Sequence, residues 1–158
     1  MENREKLLRT LDALFGRGTS RNVPGGLEFV LSRKNGRIRT VNHGGRLLCT
    51  LRTDGGLAIT PHFAQMLLKG KNFKESCVEI DAASRPFVEE GRSVFCAHVV
   101  WCGKNVRIAS DAPVLFDGRV VAVGKAVLPA GMITSMERGV AVKVRDSLKG
   151  QQAGDEMP

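Results

Sequence analysis

The C-terminal part of the chain alternates apolar and polar residues with two different periods. Residues 120–125 fall on two faces with a period of two, which is typical of a half-buried strand. Pro129 then favours the first turn of a short helix, and Gly139 favours its end. A last strand over residues 140–145 places valines on one face and, on the other, an alanine and two cations.

The N-terminal half carries a helical pattern followed by alternating segments. Leucines at helical spacing predict a helix over residues 4–15, with Asn3 as its N-cap. Antiparallel strands follow, with a tight hairpin at Asn35-Gly36, where both positions tolerate positive φ. Thr60 favours the start of a second helix that runs to residue 69. Three or four strands are predicted, over residues 27–32, 37–41, 46–52 and 57–59.

The second half predicts a small closed sheet with two helical insertions. One helix is expected over residues 81–90, with Asp81 as its cap and with Phe87 and Val88 facing inward. A loop that enters a strand follows over residues 92–101. Other strands are predicted at residues 77–80, 106–108 and 113–116, which gives five or six in total with the C-terminal pair.

Together these elements predict an α+β protein of two small domains. Residues 1–73 are expected to form an N-terminal domain in which helices pack against an antiparallel sheet. Residues 74–149 are expected to form a C-terminal domain built on the closed sheet. The polar end, residues 150–158, lacks apolar anchors and is predicted to be disordered.

Charge is unevenly distributed along the chain. Residues 1–75 contain 14 Lys or Arg and 6 Asp or Glu, whereas residues 76–158 contain 10 of each. The whole net charge of +8 therefore lies in the first half, which favours a polyanionic partner held mainly by the N-terminal domain. The alternative is a charged surface that only keeps the protein soluble.

The densest group of cations surrounds the predicted hairpin turn. Arg33, Lys34, Arg37 and Arg39 lie within seven residues of one another. Arg37 and Arg39 are expected on one strand face, at roughly the spacing of successive phosphates, and arginine binds phosphate bidentately. The alternative is a charged edge strand that resists aggregation.

The sequence contains no familiar catalytic motif. It has neither a G-x-x-x-x-G-K-[ST] phosphate loop nor a G-x-S-x-G nucleophile elbow, and its three histidines are isolated from other metal ligands. Asp54, in the run LRTDGG, is interpreted as a turn residue. We therefore expect no catalytic residue, no metal, no cofactor and no small-molecule substrate.

Cysteine spacing and hydropathy favour a cytoplasmic protein. The four cysteines form no CxxC pair, which favours free buried thiols, with a Cys96–Cys102 disulfide or a metal site as alternatives. No apolar run approaches the roughly 18–20 residues that span a bilayer. The first residues, MENREKLLR, lack the apolar core of a secretory signal, so no membrane partner is expected.

Two parts of the chain carry a family resemblance. The first comprises the runs VEID…RPFVEEGRSVFCAHVV (78–100), VVAVGKAVL (120–128) and RGVAVKVRD (138–146). In order and spacing they resemble the PUA domain, an RNA-binding pseudobarrel found in pseudouridine synthases and archaeosine transglycosylases. The second, GRIRTVNHGGRLLCTLRTDGGLAIT (36–60), is similar to the small domain that precedes the PUA domain in archaeal tRNA-guanine transglycosylase.

The resemblance implies an archaeal setting and an RNA partner, which is tRNA in the transglycosylase. Two departures from the family pattern are Ala97, where relatives often carry lysine, and residues 109–111, where they often carry Pro-Gly-Asp. Phe95 and Trp101 are candidates to stack on an unpaired base, with core packing as the alternative. The RNA-facing surface implied by the resemblance comprises Gly91, Arg92, Ser93, Val94 and Phe95, with His98 nearby and Lys143 and Arg145 on the last strand.

The combined prediction is a non-catalytic RNA-binding protein whose partner is tRNA. It is expected to act in tRNA modification, as the detached RNA-binding part of a split archaeosine transglycosylase system with a separate catalytic subunit. One alternative is a translation factor whose PUA domain binds the small ribosomal subunit or initiator tRNA. A less favoured alternative is an independent RNA-modifying enzyme.

Overall fold

The computed structural model describes residues 2–149, so the predicted tail at residues 150–158 lies outside the described residues. The chain divides into two compact units, Met1–Phe73 and Lys74–Pro158. The elements in chain order are α1 (Glu2–Phe15), β1 (Leu27–Leu31), β2 (Ile38–His43), β3 (Arg46–Leu51), β4 (Leu57–Ile59), α2 (Pro61–Leu67), β5 (Val78–Ile80), α3 (Arg85–Glu89), β6 (Val94–Phe95), β7 (Val99–Cys102), β8 (Asp111–Phe116), β9 (Arg119–Ala126), α4 (Ala130–Ser135) and β10 (Val140–Ser147).

The N-terminal unit is an antiparallel sheet whose apolar residues pack with two helices. The four strands are ordered β1-β2-β3-β4, so each strand pairs with its neighbour in sequence. Helix α1 buries residues spaced by four, which form one apolar stripe. The fully buried side chains include Leu7, Leu11, Val41, Leu48, Leu57, Ile59, Phe63, Leu67 and Phe73.

The helix ends in this unit agree only in part with the sequence prediction. The Thr60 hydroxyl accepts a hydrogen bond from the Phe63 N–H at 3.2 Å, so the predicted cap of α2 is confirmed. Helix α2 ends at Leu67, two residues before the predicted end. The prediction that Asn3 caps α1 was wrong, because that helix begins at Glu2 and Asn3 lies inside it.

The connection between β1 and β2 is longer than the predicted two-residue turn. Residues 32–37 form the loop, and of the pair Asn35-Gly36 only Gly36 has a positive φ, of 68°. The Asn35 side chain accepts a hydrogen bond from the Arg37 N–H at 3.0 Å, which stabilises the turn through a side chain instead. Strand β1 then pairs with β2 through a bulge, in which Arg39 is the unpaired residue.

The C-terminal unit is a six-stranded sheet that is nearly closed. The strands are ordered β6-β10-β9-β8-β5-β7, and only β5 and β8 pair in parallel. The two edge strands, β6 and β7, are consecutive in the chain and are joined by the 3-10 helix Cys96–His98. Because three residues span only a short distance, the two edges of the sheet lie close together and the sheet curls into a pseudobarrel.

The prediction that residues 120–125 form a half-buried strand was wrong. Residues 120–124 of strand β9 are all buried, so both faces of the strand are covered there. Within the strand only Arg119 and Lys125 are exposed. The strand lies inside the sheet between β8 and β10, and its side chains on one face enter the apolar interior of the barrel. Helix α3, which contacts β9, contributes to the burial of the strand.

Several shorter elements also differ from their predictions. Helix α3 begins at Arg85, because Asp81 caps the preceding turn: its Oδ1 accepts a hydrogen bond from the Ser84 N–H at 2.9 Å. The predicted strand at residues 106–108 is a turn, in which Ser110 bonds back to the Arg107 carbonyl and Ala109 has a φ of 69°. Helix α4 ends at Ser135, well before Gly139.

The fold class predicted from the sequence is confirmed. The N-terminal unit combines helices with an antiparallel sheet, and the C-terminal unit is a pseudobarrel. None of the four cysteines, which all lie within the described residues, forms a disulfide. Burial raises the pKa of the Cys77 thiol and raises that of Cys102 to about 11. Both therefore stay neutral thiols at pH 7. Across residues 2–149, no helix is both long and apolar enough to cross a membrane.

Candidate nucleic-acid interface

The loop from Gly91 to Phe95 is fixed at both of its ends. Gly91, with a φ of 100°, ends helix α3, and its N–H donates to the Val88 carbonyl at 3.0 Å. A residue with a side chain rarely adopts this left-handed backbone, so glycine suits the position. At the other end β6 pairs with β10, with Phe95 opposite Val140. The loop is therefore carried on the barrel between a helix end and a strand.

The side chains of this loop point in different directions. Phe95 is 50% exposed, whereas Val94 is fully buried in the core of the barrel. The predicted RNA contact by the Val94 side chain is therefore wrong, because alternate residues of a strand face opposite sides. Arg92 lies over the ring of Phe87, with its Cζ 5.5 Å from the ring centroid. Phe87 is 51% exposed, so its predicted inward orientation was also wrong.

His98 follows the loop and is held by a carboxylate. Its Nδ1 lies 2.9 Å from the Oδ2 of Asp81. Burial opposes ionisation of that carboxyl, but hydrogen bonds from His98 and Ser84 outweigh it and keep the pKa of Asp81 below its ordinary value. Within residues 2–149 the second ring nitrogen of His98 has no hydrogen-bond partner. The ring is thus fixed while one polar atom stays available.

A pair of lysines lies on neighbouring strands of the barrel. Lys125 of β9 and Lys143 of β10 are directly opposite one another, and both are exposed. Like charges at such a position destabilise a sheet. Lys143 was predicted from the sequence as a contact residue, whereas Lys125 was not. The available signal was a single lysine in the otherwise apolar run VVAVGKAV.

Arg145, the other predicted cation of the last strand, already has a carboxylate partner. Its Nη1 and Nη2 lie 2.6 Å and 3.0 Å from the two carboxylate oxygens of Asp111. The Asp111 side chain is only 2% exposed, so the carboxylate is buried beneath the guanidinium. Asp111 also continues the row of Lys143 and Lys125 onto β8. Arg145 therefore neutralises Asp111, and the two lysines remain as the excess charge of this face.

Trp101, the second candidate for base stacking, has a covered ring face. The Lys74 ammonium lies 4.9 Å from the centroid of the indole ring, and the residue is half-buried. A cation at this distance makes a cation–π interaction with the face of the ring. Phe95, with half of its surface exposed, is the better stacking candidate of the two.

The N-terminal unit carries the second group of predicted residues. Arg33, Lys34, Arg37 and Arg39 are all exposed around the loop between β1 and β2. The loop is closed by a hydrogen bond from the Ser32 N–H to the Arg37 carbonyl at 2.7 Å. Among residues 2–149, none of these four side chains has a carboxylate partner.

Arg37 and Arg39, but not Arg33 and Lys34, line an open cleft of about 770 Å³ in this unit. Its walls come from α1, from the loop before β2 and from the turn between β3 and β4. The basic residues that line it are Lys6, Arg9, Arg37, Arg39 and Arg52. The prediction that Arg37 and Arg39 share one strand face was wrong, because Arg37 lies in the loop before β2 and Arg39 lies at the bulge. Both nevertheless line the cleft, together with cations that are distant in sequence.

Residues 77–148 match the family model described as the PUA domain. These residues of the C-terminal unit therefore form a PUA domain, and the resemblance predicted from the sequence is confirmed there. The arrangement described above, with a loop after α3 and basic residues on β9 and β10, lies within this domain.

Relatives named tRNA-guanine(15) transglycosylase match a larger part of the chain. The Methanothermobacter thermautotrophicus protein is 34% identical over 116 residues, which cover 72% of this chain and 18% of that relative. The Methanobrevibacter smithii protein is 29% identical over 148 residues, which cover 92% of this chain and 22% of the relative. The chain thus spans about a fifth of the length of these relatives, and the second match includes both units.

Solved structures of other proteins share this fold along nearly the whole chain. A hypothetical protein of Pyrococcus horikoshii OT3 has a TM-score of 0.74 at 16% identity, and the match covers 96% of this chain and 95% of that one. A conserved PUA domain protein of Thermoplasma acidophilum has a TM-score of 0.64 at 20% identity, covering 92% and 90%. These similarities show a common fold.

Proposed function

We propose that this chain is a non-catalytic RNA-binding protein that binds tRNA and assists tRNA modification. Relatives that match both of its units are named for a tRNA-modifying activity, and the PUA domain is an RNA-binding family. The exposed cations of the two units suit a ligand with many phosphates. The residues assigned to RNA in the PUA domain are Gly91, Arg92, Ser93, Phe95, His98, Lys125 and Lys143.

The observation that carries the proposal is the lysine pair on β9 and β10. Lys125 and Lys143 face one another across the two strands, where like charges oppose folding. A phosphate placed between two ammonium groups turns that repulsion into attraction, since each lysine contributes a positive charge and hydrogen-bond donors. An anionic ligand therefore accounts for an arrangement that the fold alone does not favour.

The accessory role is proposed from the part of the relatives that this chain matches. It corresponds to about a fifth of their length. In this proposal a separate catalytic subunit supplies the exchange chemistry, and this chain holds the tRNA for it. The purified chain alone is then expected to leave tRNA chemically unchanged, which mass spectrometry of nucleosides from treated tRNA measures.

Purified protein is expected to bind total tRNA with a micromolar or lower Kd at low salt. Phosphate contacts release counterions, so the logarithm of the affinity falls linearly with the logarithm of the salt concentration. With about five phosphates contacted, the slope is expected to be about −4 to −5. Fluorescence anisotropy over a series of salt concentrations measures both quantities.

Two controls separate tRNA binding from general attraction to a polyanion. Duplex DNA of matched charge is expected to bind at least tenfold more weakly, and equal affinity for both would contradict the tRNA proposal. Absence of tRNA binding at low salt would contradict RNA binding altogether. Cosedimentation with small ribosomal subunits, in place of binding to free tRNA, would support the translation-factor alternative instead.

Replacing Lys143 with glutamine is expected to affect binding and stability in opposite directions. Loss of one phosphate contact should weaken tRNA binding severalfold and reduce the salt slope by about 1. Relief of the repulsion from Lys125 should raise the free energy of unfolding by a few tenths of a kcal/mol. Anisotropy and urea denaturation measure the two effects.

The matched control for Lys143→Gln is Arg119→Gln. Arg119 is also exposed, but it begins β9, six residues and roughly 20 Å along the strand from Lys125. Its replacement should change tRNA affinity by less than twofold. Equal losses for both variants would mean that the lysine pair is not a specific contact.

A further inference from the structure

The open cleft of the N-terminal unit has a net positive charge even after its neighbouring carboxylates are counted. Five cations line it, and no carboxylate from the described residues is among the lining side chains. Three of the cations have carboxylate partners outside the lining: Lys6 with Glu2 at 3.5 Å, Arg9 with Glu5 at 2.7 Å and Arg52 with Asp54 at 3.3 Å. Five cations less three carboxylates leave a balance of +2.

Arg37 and Arg39 supply this surplus. Within residues 2–149 neither has a carboxylate partner, and both residues are exposed and line the cleft. The bulge in β2 at Arg39 breaks the alternation of the strand there. The loop hydrogen bonds with Asn35 and Ser32 hold the backbone of Arg37 in the residue just before that strand. The backbone positions of the two arginines are thus fixed beside the cleft.

Arg52 is positioned by the turn between β3 and β4. Its Nε donates to Asp54 Oδ1 at 3.3 Å, and the same oxygen accepts the Gly56 N–H at 2.8 Å. A Cβ on Gly56 would lie 2.4 Å from Nη2 of Arg52, so a side chain at residue 56 would displace the guanidinium. The turn therefore holds the Arg52 guanidinium against the backbone of Gly56, at the edge of the cleft.

The charge and size of the cleft suit one compact dianion with an organic group attached. A phosphomonoester carries about −1.5 to −2 charges at pH 7 and three acceptor oxygens, whereas an internal phosphodiester carries only one charge. Planar guanidinium forks match phosphate oxygens in pairs. Leu51, which is half-buried and also lines the cleft, offers apolar surface for a sugar or base. The cleft volume of about 770 Å³ is within the range of small-ligand sites.

We infer that this cleft binds a terminal phosphomonoester on a ribose, with Arg37, Arg39 and Arg52 as its phosphate ligands. The source is either the 5′-phosphorylated end of an RNA or a free nucleotide. The first source rests on the proposed function, because it requires that the chain bind RNA. The second does not.

The test compares RNA hairpins of one sequence that end in a 5′-phosphate or a 5′-hydroxyl. At about 100 mM salt the phosphorylated hairpin is expected to bind about tenfold more tightly, a difference that corresponds to about 1.4 kcal/mol. In Arg37→Ala/Arg39→Ala the preference should fall below twofold. Gly56→Ala should also reduce it, because it displaces Arg52 without removing a charge.

The matched control is Arg33→Ala/Lys34→Ala, which removes two exposed cations from the same loop but none from the cleft. This variant should weaken binding of both hairpins by the same factor and keep the tenfold preference. Thermal melting of each variant checks that it is folded. A preference lost equally in both double variants would show general charge attraction and would overturn the inference.

A second arm distinguishes the two sources of the phosphate. Calorimetry with adenosine 5′-monophosphate, adenosine and inorganic phosphate tests binding without RNA. Submillimolar binding of the monophosphate alone, lost in Arg37→Ala/Arg39→Ala, would identify a free-nucleotide site, and a hairpin preference without it would identify an RNA end. If both hairpins bind equally and the monophosphate does not bind, the inference fails while the proposed RNA binding stands. If neither hairpin binds, the proposed function fails.

Discussion

Gly124→Ala is expected to lower the free energy of unfolding of the C-terminal unit by at least about 3 kcal/mol. A Cβ at residue 124 would lie 2.1 Å from the carbonyl oxygen of Lys143 and 2.8 Å from the Cα of Val144. Both atoms belong to the backbone of β10, which pairs with β9 at this point. Relief of the clash requires the two strands to separate, because no flexible side chain can move aside.

Urea denaturation followed by circular dichroism measures this effect as a lower midpoint. Small domains are stable by only about 5–15 kcal/mol, so a loss of about 3 kcal/mol raises the unfolded fraction of the variant about a hundredfold. Lys125 and Lys143 flank the contact, so tRNA binding should fall together with the folded fraction.

Gly131→Ala is the matched control for that substitution. Gly131 lies in helix α4, and a Cβ there would meet no atom within 4 Å. Alanine favours a helix over glycine by about 0.5–1 kcal/mol, so this variant should be slightly more stable than the natural chain. A natural midpoint for Gly124→Ala would mean that β9 and β10 do not approach this closely in solution.

Arg145→Met is expected to lower the free energy of unfolding by about 2–3 kcal/mol. It removes two charge-assisted hydrogen bonds to Asp111, at 2.6 Å and 3.0 Å, and leaves a carboxylate with only 2% exposure without its cation. Methionine preserves most of the apolar stem, so the loss reports the ion pair. The guanidinium is partly exposed, which keeps the expected loss below that of a fully buried pair.

Lys143→Gln serves again as the control, since it removes a cation two residues away on the same strand. The two variants are expected to change stability in opposite directions. Double substitution of Arg145 by Met and Asp111 by Leu should recover part of the lost stability, because no buried charge then remains. A loss below about 0.5 kcal/mol for Arg145→Met would contradict the structural role and return Arg145 to the list of RNA contacts.

The order of elements was predictable from the sequence because each one carries a local signal. Thr60 caps α2 through a hydrogen bond three residues away, and the glycines at 44 and 45 close the hairpin between β2 and β3. The four-stranded sheet then follows, because each strand pairs with the next. Two of the predictions that failed, those for β9 and Phe87, concern positions whose burial depends on distant partners.

Strand β9 and residue Phe87 illustrate this limit. The alternation along residues 120–125 resembles a strand with one solvated face, but β8 and β10 enclose it within a curled sheet, and both faces are buried. Phe87 is an aromatic residue of the kind that usually packs in a core. It lies instead on the outer side of a five-residue helix and stacks with Arg92. The local spacing of apolar and polar residues predicts neither outcome.

The candidate site shows the same division. The cations of residues 33–39 and Lys143 were found from composition and resemblance, since each stands in a basic run or a matched motif. Lys125 was missed because only the register of β9 against β10 places it opposite Lys143. The cleft was missed because it combines α1, β2 and the turn before β4, which are distant in sequence.

Because the barrel is only nearly closed, its strands differ in how easily they open locally. Its two rim strands, β6 and β7, have two and four residues, whereas the central strand β9 has eight. Short edges open locally at lower cost than long interior strands. Local opening of the barrel is therefore expected first at β6 and β7, next to the loop that carries Arg92, while the interior strands keep their register.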